Sequence, residues 1–314
     1  MGDDRTRRAL LGLGRDLGLG LSLGAGLLGS TALAQPPDDF ASDDRRRDRL
    51  TAQVRIGDGP PLTFAIDTAA NSSVIAADLL RRVPHLPHER IVMHTLVGAE
   101  AVDTIRVERL RSGVLDAEDV RLAVGDRAGM QGLDGLLGSE LLLGRRLVLD
   151  FRRRVEARIV HSSTRSPRRL LTSAPGTRLI TPLQPRFHSL MMIEARLGGD
   201  IATAIVDSGA TMTMMNEAAA RAARVQPIAT LSGETTVLIQ SPTGRSTPAR
   251  LALTPRLSFA DARIARLPVL VGDFHTFRQW GLADQPALLL GVDVLGLFDS
   301  VSIDLRRREF VVTV

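Results

Sequence analysis

Two aspartates, Asp67 and Asp207, stand at positions where a carboxylate could do chemistry. Each ends an apolar run and opens a turn of small residues: residues 64–70 read FAIDTAA and residues 204–210 read AIVDSGA. Short apolar runs bounded by small residues are typical of buried strands. We therefore expect each carboxylate to lie at the mouth of a buried strand, where water is scarce and the backbone turns sharply.

Two neighbouring carboxylates suit the hydrolysis of an amide. That reaction needs a base to take a proton from water and an acid to protonate the leaving nitrogen. Two carboxylates held close together cannot both ionise at low cost, so one keeps its proton and the pair offers a base and an acid at once. This chemistry needs no metal, no cofactor and no covalent intermediate, and we expect none.

The elements that must position the carboxylates occur twice along the chain. Residues 52–59 and 193–200 both alternate apolar and polar residues before a glycine turn, as half-buried strands do. A hydroxyl residue, Ser73 or Thr213, then follows each aspartate by six positions. The repetition predicts a duplicated chain that brings the two carboxylates together.

The later landmarks of the repeat recur in the same order. Each aspartate turn is followed by a predicted helix, at residues 76–82 and at residues 217–224, and Asn216 is placed to cap the second. The matching segments further on are VGD at 124–126 and 271–273, GLLGSELL at 135–142 with LLLGVDVL at 288–295, and hairpins that begin at 147 and 301.

These landmarks set the expected domain boundaries. We predict an N-terminal lobe over residues 49–160 and a C-terminal lobe over residues 178–314. Residues 161–177 lie between them and are rich in Ser, Thr, Pro and Arg, a composition that is typical of a linker.

The first 34 residues have the pattern of an export signal of the twin-arginine type. Arg7 and Arg8 precede a Gly/Leu-rich stretch at residues 17–28, and residues 32–34 form the small-x-small triplet of a cleavage site. An uncleaved anchor is the alternative, but charged residues shorten the apolar run, and no stable membrane insertion is expected after cleavage. We expect a flexible leader at residues 35–48 and a periplasmic or secreted protein.

Composition excludes several other classes of protein. All 40 basic residues are arginine and the net charge is +5, with arginine interleaved among acidic residues. The clustered basic, aromatic-studded surface of a nucleic-acid binder is therefore not expected. The chain has no cysteine, which excludes disulfides and thiol nucleophiles, and it contains no Gly-x-Ser-x-Gly segment.

The two aspartate turns, with the apolar-apolar-Gly element that follows each, resemble the retropepsin/pepsin-like aspartic proteases. The chain is similar to the bacterial, exported, single-chain members of this family, which have two retropepsin-like halves. The resemblance covers residues 50–314, and the full order of landmarks, twice in one chain, is specific. It implies an all-β, bilobal fold of two pseudo-symmetric, β-barrel-like lobes with short helices and a cleft between them.

The resemblance also implies roles for individual residues. The two aspartates would be catalytic and would face each other across the cleft. The hydroxyls of Thr68 and Ser208 would hydrogen-bond across the pair. The apolar-apolar-Gly elements at residues 136–138 and 289–291 would pack beneath the turns and hold them rigid.

Ala69 departs from the family pattern, which has glycine at this position, whereas Gly209 keeps it. If the turn needs a positive φ or a very close backbone approach here, alanine costs on the order of 1 kcal/mol. If φ is negative there, alanine costs little and activity survives. The sequence leaves both alternatives open.

A hairpin that covers the cleft is expected at residues 94–102, HTLVGAEAV. The chain has no tyrosine, so the flap tyrosine of pepsins is missing, and the glycine and apolar residues favour the retropepsin branch. Its counterpart in the second half is predicted at residues 237–252. The expected substrate-binding residues at the tip of the first hairpin are Leu96, Val97, Gly98 and Ala99.

Two other segments have less specific patterns. His94 begins the expected hairpin, and we interpret it as an exposed polar loop residue rather than a substrate contact. Residues 274–280 carry the single tryptophan of the chain and lengthen the second half. They could line a subsite, cover the core or contact a partner, and core cover is the favoured interpretation.

The function expected from the sequence is an aspartic endopeptidase. Its partner would be a peptide or protein substrate, and a monomer would suffice because one chain carries both halves. The alternative is a catalytically weak or inactive peptide-binding module of the cell envelope that uses the same cleft. A purely structural envelope protein would leave both aspartate turns unexplained.

Overall fold

The first repeat forms a sheet of seven strands. Its apolar residues alternate with polar ones because successive side chains of a strand point to opposite faces of the sheet. The computed structural model describes residues 49–152, 156–162, 178–182, 184–186, 190–230 and 232–314. The order of the strands is β1-β2-β7-β3-β6-β5-β4, and β1 also pairs with β5, which closes a barrel-like ring. The strands are β1 Thr51–Ile56, β2 Leu62–Asp67, β3 Val74–Ala76, β4 Leu86–His94, β5 Ala99–Ser112, β6 Leu115–Gly125 and β7 Gly135–Gly138.

The second repeat forms a nine-stranded sheet with the same plan. Its order is β11-β12-β13-β19-β14-β18-β17-β15, with β16 on β17, and a pairing of β12 with β17 closes the ring. The strands are β11 Gln184–Arg186, β12 Leu190–Leu197, β13 Asp200–Val206, β14 Met214–Met215, β15 Gln226–Pro227, β16 Thr236–Gln240, β17 Ser246–Phe259, β18 Ala262–Val271 and β19 Ala287–Leu290.

The long strands β5 and β17 show how closely the two halves correspond. Both have 14 residues. Each buries a residue at the same six positions along the strand. The buried residues are Val102, Thr104, Ile105, Val107, Leu110 and Ser112 in β5, and Ala249, Leu251, Ala252, Thr254, Leu257 and Phe259 in β17. The internal repeat predicted from the sequence is therefore a repeat of structure.

A third sheet joins the two halves. The predicted closing hairpins meet in it, because β8 of the first half pairs antiparallel with β20 of the second, with Leu149 opposite Val301. Its order is β10-β21-β20-β8-β9. The strands are β8 Arg145–Asp150, β9 Glu156–His161, β10 Arg178–Pro182, β20 Ser300–Asp304 and β21 Glu309–Thr313.

Helices are short and connect the strands. The predicted helix after the second aspartate turn is present, and its first turn is capped as expected by Asn216, whose Oδ1 accepts a hydrogen bond of 2.8 Å from the Ala219 N–H. The first copy forms only a 3₁₀ turn, which Ala76 precedes without a side-chain cap. The helices are α1 Glu217–Ala223, α2 His275–Gln279 and α3 Val292–Leu295, and the 3₁₀ turns are Ala77–Arg81, Ala128–Met130 and Ser139–Leu142.

The all-β, bilobal fold expected from the sequence is confirmed. The main apolar core is continuous from the first sheet through the joining sheet into the second. A smaller cluster lies under the second aspartate turn and includes Phe274 and Phe277. Among the described residues, no helix is long and apolar enough to cross a membrane. The predicted signal, leader and most of the linker (1–34, 35–48 and 163–177) lie outside the described residues.

Candidate active site

Asp67 is the last residue of β2, and the turn after it holds the carboxylate through backbone N–H groups. Its Oδ1 accepts hydrogen bonds from Ala69 N at 3.0 Å and Ala70 N at 2.8 Å. Strand β7 runs parallel to β2 with Gly138 opposite Asp67, and Ser139 N donates to the Ala70 carbonyl at 2.8 Å. The apolar-apolar-Gly element thus lies beside the turn and fixes it, as predicted.

Asp207 follows β13 and is held in the same way. Its Oδ1 accepts hydrogen bonds from Gly209 N at 2.9 Å and Ala210 N at 3.1 Å. The backbone N–H of Asp207 donates to the Leu290 carbonyl at 2.9 Å, and Val292 N donates to the Ala210 carbonyl at 2.8 Å. In both turns the N–H groups occupy Oδ1 and leave Oδ2 available for a substrate or water.

Thr68 and Ser208 bind the two turns to each other. The Thr68 hydroxyl donates to the Val206 carbonyl at 2.7 Å and accepts from Ser208 N at 3.0 Å. The Ser208 hydroxyl donates to the Ile66 carbonyl at 2.6 Å and accepts from Thr68 N at 3.3 Å. Both side chains are buried, so these four bonds are protected from water. The hydrogen bonding across the pair that the sequence implied is present.

A partly buried acid supports each turn from behind. Glu140 Oε1 accepts from the Ser73 hydroxyl at 2.6 Å, and Asp293 Oδ1 accepts from the Thr213 hydroxyl at 2.8 Å. Burial raises the pKa of Glu140, and it raises the pKa of Asp293 to about 6. Neither acid was expected at the site from the sequence, although both follow the glycine of the apolar-apolar-Gly element by two positions. This shared spacing is the sequence pattern from which both acids could have been predicted.

In each turn, the size of the side chain at the position two residues after the aspartate (69 or 209) is limited by the surrounding space rather than by the backbone conformation. A Cβ added at Gly209 would lie 2.6 Å from Cγ and 2.7 Å from Oδ2 of Asp67. Neither Gly209 nor Ala69 has a positive φ, so the alternative in which Ala69 strains the backbone is ruled out. The short distances at Gly209 show that Asp67 lies directly against the opposite turn. Ala69 packs against the smaller apolar cluster, which lies under the second turn.

The environment of the two carboxyls favours the neutral form. Burial raises the pKa of both Asp67 and Asp207, and for Asp207 the negative charge of Asp67 is the next largest cause. The N–H groups of the turns oppose this rise, as does the positive charge of Arg49. Two carboxyls in this arrangement favour a shared state with one proton between them. Arg49 had no role predicted from the sequence.

The first predicted hairpin is formed by β4 and β5, and its tip docks on the second half of the molecule. The turn is closed by Thr95 N, which donates to the Gly98 carbonyl at 2.8 Å. The Leu96 carbonyl accepts from His275 N at 2.9 Å. The ring of His94 stacks on that of His275, with centroids 5.2 Å apart and Nδ1 to Nε2 at 2.9 Å. His94 is exposed, as interpreted from the sequence, but it ends strand β4, contacts the second half and lines the cleft.

The second hairpin, formed by β16 and β17, docks on the first half in return. At its turn, residues 241–244, the Pro242 carbonyl accepts from Asp126 N at 2.8 Å. The Thr243 hydroxyl donates to Glu100 Oε1 at 2.6 Å. Asp126 ends the VGD segment of the first half. The residue on which the first hairpin docks, His275, lies just after the VGD segment of the second half. The two hairpins therefore contact each other through Thr243 and Glu100, and together they form a roof over the cleft in which each tip rests on the opposite half.

A cleft of about 660 Å³ lies between the carboxylates and this roof. Of the four predicted hairpin contacts, Leu96 lines the cleft, whereas Val97, Gly98 and Ala99 do not. The segment at 274–280 covers the core with two buried phenylalanines, as favoured, and also supplies part of the cleft wall. The main lining residues are Asp67, Asp207, Ala69, Ile91, Met93, Leu96, Leu136, Leu190, Pro242, Thr276, Gln279, Trp280 and Leu289.

Comparison with known protein families gives one match, repeated in the chain. A family model described as aspartyl protease matches residues 52–141 and again residues 193–294. Each match contains one aspartate turn and the apolar-apolar-Gly element that supports it. No curated protein matches the sequence.

Proposed function

Because the chain belongs to the retropepsin-like aspartyl protease family, we propose that it is an aspartic endopeptidase in which Asp67 and Asp207 activate a water molecule. The observation that carries the proposal is the matched pair of turns. Each turn holds its carboxylate by two N–H groups, and the hydroxyls of Thr68 and Ser208 bind one turn to the other. Such a rigid arrangement supports catalysis by positioned groups.

The reaction follows from one proton held by two carboxyls. The ionised carboxylate takes a proton from water, and the water oxygen attacks the carbonyl carbon of the peptide bond. The neutral carboxyl gives its proton to the carbonyl oxygen, which forms a tetrahedral diol. The proton taken from water is then delivered to the nitrogen, and the other carboxylate takes a proton from one hydroxyl of the diol. The C–N bond breaks, an acid and an amine leave, and the pair again holds one proton.

The cleft supports a peptide or protein as the substrate. Its walls combine apolar side chains, among them Ile91, Leu136 and Leu289, with polar ones that could bind a peptide backbone. An extended chain has unpaired backbone groups that can hydrogen-bond to neighbouring strands, a recurring mode of peptide recognition. Both hairpin tips line the cleft on the side opposite the carboxylates, where they could contact a bound chain.

The second candidate is a peptide-binding module with weak or no catalysis. The observation that favours it is Ala69, which fills a position where the matching Gly209 has no space for a side chain. A methyl group there would displace the carboxyl that faces it. Displacement of a catalytic group by about 1 Å can cost about 100-fold in rate.

Cleavage of a diverse peptide mixture from about pH 3 to pH 8, measured by mass spectrometry, separates the two candidates. The parent chain is expected to cleave, and Asp207→Asn is expected to lose about 10²- to 10⁴-fold in rate because it removes one member of the acid–base pair. Asp116→Asn, which changes an exposed acid paired with Arg109, is the matched control and should cleave like the parent. Peptide binding without cleavage at any pH would establish the module instead.

We also propose that the mature protein acts in the periplasm or outside the cell. Support comes from the twin arginines, the apolar stretch and the cleavage triplet in the first 34 residues. N-terminal sequencing of protein recovered from the periplasm should begin at Gln35, whereas recovery of the full chain from the cytoplasm would contradict the proposal.

A further inference from the structure

Arg49 lies directly opposite Asp67 on the neighbouring strand. In the antiparallel pairing of β1 with β2, Thr51 is opposite Ala65, and Ile66 N donates to the Leu50 carbonyl at 2.8 Å. The register therefore continues beyond the first residue of β1, and its next step sets Arg49 against Asp67. Side chains of directly opposed residues share a face of the sheet with Cβ atoms about 5 Å apart.

The guanidinium of Arg49 is held inside the protein. Among the described residues, its buried Nε has no hydrogen-bond partner. Burial lowers the pKa of Arg49, and the charges of Asp67 and Asp207 raise it again. Arginine remains protonated at all ordinary pH values. A permanent positive charge therefore lies on the same face of the sheet as the carboxyl of Asp67 and acts on it through space.

The equivalent position in the second half is apolar. In the antiparallel pairing of β12 with β13, Met192 is opposite Ile205, and the same continuation of the register sets Leu190 against Asp207. Leu190 is fully buried and lines the cleft. One carboxyl of the pair thus faces a cation, and the other faces a hydrocarbon side chain.

We propose, on the basis of the function proposed above, that Arg49 is a positioning residue that acts through Asp67 and makes Asp67 the ionised member of the pair. The positive charge of Arg49 lowers the pKa of both carboxyls, but Arg49 stands opposite Asp67 in the register, and the pKa of Asp207, opposite the apolar Leu190, is raised in addition by the negative charge of Asp67. The other charged group near Asp67 is Glu140, which lies behind the turn and is held by Ser73. Asp67 then takes the proton from water, and Asp207 donates its proton to the carbonyl oxygen.

The experiment compares Arg49→Leu, which copies the second half, with Arg49→Lys, which keeps the charge. Loss of the cation should raise the pKa of Asp67 and move the acid limb of the pH profile of kcat/KM upward by about one pH unit or more. Arg49→Lys should leave that limb in place even if its rate is lower. An unmoved acid limb in Arg49→Leu would overturn the proposal and leave Arg49 as a purely structural residue.

A measurement without turnover keeps this test separate from the proposed function. The carboxyl carbons of the parent protein can be titrated by carbon-13 NMR, with the two resonances assigned from Asp67→Asn and Asp207→Asn. Asp67 should ionise at the lower pH. If Asp207 ionises first, the assignment of Arg49 fails whether or not the protein cleaves peptides. If Asp67 ionises first and no peptide is cleaved, only the endopeptidase fails.

Discussion

The turns at Asp67 and Asp207 have corresponding hydrogen bonds made by residues of the same chemical kind, but their side-chain neighbours differ in charge or size at two further positions. Position 69 carries a methyl group where position 209 carries none. The residue opposite the carboxylate is Arg49 in the first half and Leu190 in the second. The shared features are those that hold a carboxylate in place, and the differences are those that set its charge and the space around it.

This comparison teaches that the two halves can diverge without losing the frame. Backbone N–H groups, the Thr68 and Ser208 hydroxyls and a supporting acid recur in both halves, because an unpaired buried polar group would destabilise the turn. The charge and the volume of the side chains next to the carboxylates do not affect these hydrogen bonds, so they can differ between the two halves. A pair with a symmetric frame and asymmetric neighbours can assign different roles to its two members.

The strongest test of the comparison is Gly209→Ala, which gives the second turn the residue of the first. The new Cβ would lie 2.6 Å from Asp67 Cγ, so the carboxyl must move. A displacement of this size should lower kcat/KM by about 100-fold. Gly199→Ala is the control, since a Cβ there meets no atom within 4 Å. Equal activity of both variants would show that Asp67 tolerates the shift.

The next largest effect is expected from Thr68→Val and Ser208→Ala, one in each half. Either change leaves a buried N–H and a buried carbonyl without their partners, and should lower the free energy of unfolding by about 2 kcal/mol. Urea denaturation measures both. Similar losses would support the equivalence of the two turns, and a loss confined to one variant would show that only one hydroxyl holds the halves together.

The two hairpins offer a smaller contrast, in pH dependence. His94 and His275 share a hydrogen bond as long as one ring has an unprotonated nitrogen. Burial lowers the pKa of His275, and the neighbouring His94 and Arg278 lower it further. Protonation of His275 is therefore disfavoured while the hairpin is docked, so the contact is kept above the ordinary histidine range and weakens as the pH falls below it.

Amide hydrogen exchange at the two tips measures this contrast. Below the ordinary pKa of histidine, about 6.5, exchange at residues 95–98 should become about fivefold faster, relative to residues 241–244, for a loss of about 1 kcal/mol. His94→Phe should remove the pH dependence. Parallel changes at both tips would assign the effect to the cleft as a whole.

The smallest effect is expected from Ala69→Gly, which makes the first turn match the second. By the repeat, the Ala69 methyl group should face Asp207 as a Cβ at position 209 would face Asp67. Its removal relieves crowding and should raise kcat about two- to threefold, equivalent to well under 1 kcal/mol. An unchanged rate in a steady-state assay would mean that Ala69 is fully accommodated.

Features with a local pattern could be predicted from the sequence. The aspartate turns, the apolar-apolar-Gly elements, the first hairpin and the Asn216 cap each rest on neighbouring residues whose types dictate the backbone. The 3₁₀ turn at Ala77–Arg81, where a helix was expected, differs because the first copy has no capping side chain. Without that cap, the free N–H groups of a helix start have one partner fewer.

Features that depend on distant contacts could not be predicted. His94 and His275 are 181 positions apart, and nothing near either residue indicates that their rings stack. Arg49 precedes the recognisable strand pattern, so its place opposite Asp67 follows only from the register of the folded sheet. The mutual docking of the hairpins likewise requires the relative placement of the two halves, which strand periodicity does not contain.

The sheet that joins the halves has a mechanical consequence. Strands β8 and β20 pair along five residues, so the two lobes share a continuous backbone seam on one side of the molecule. The hydroxyls of Thr68 and Ser208 add a second attachment at the floor of the cleft. Lobes attached at these two places can rotate slightly relative to each other but cannot separate. If the cleft binds a peptide, as proposed, movement of the two hairpin tips rather than separation of the lobes is the expected way to widen it.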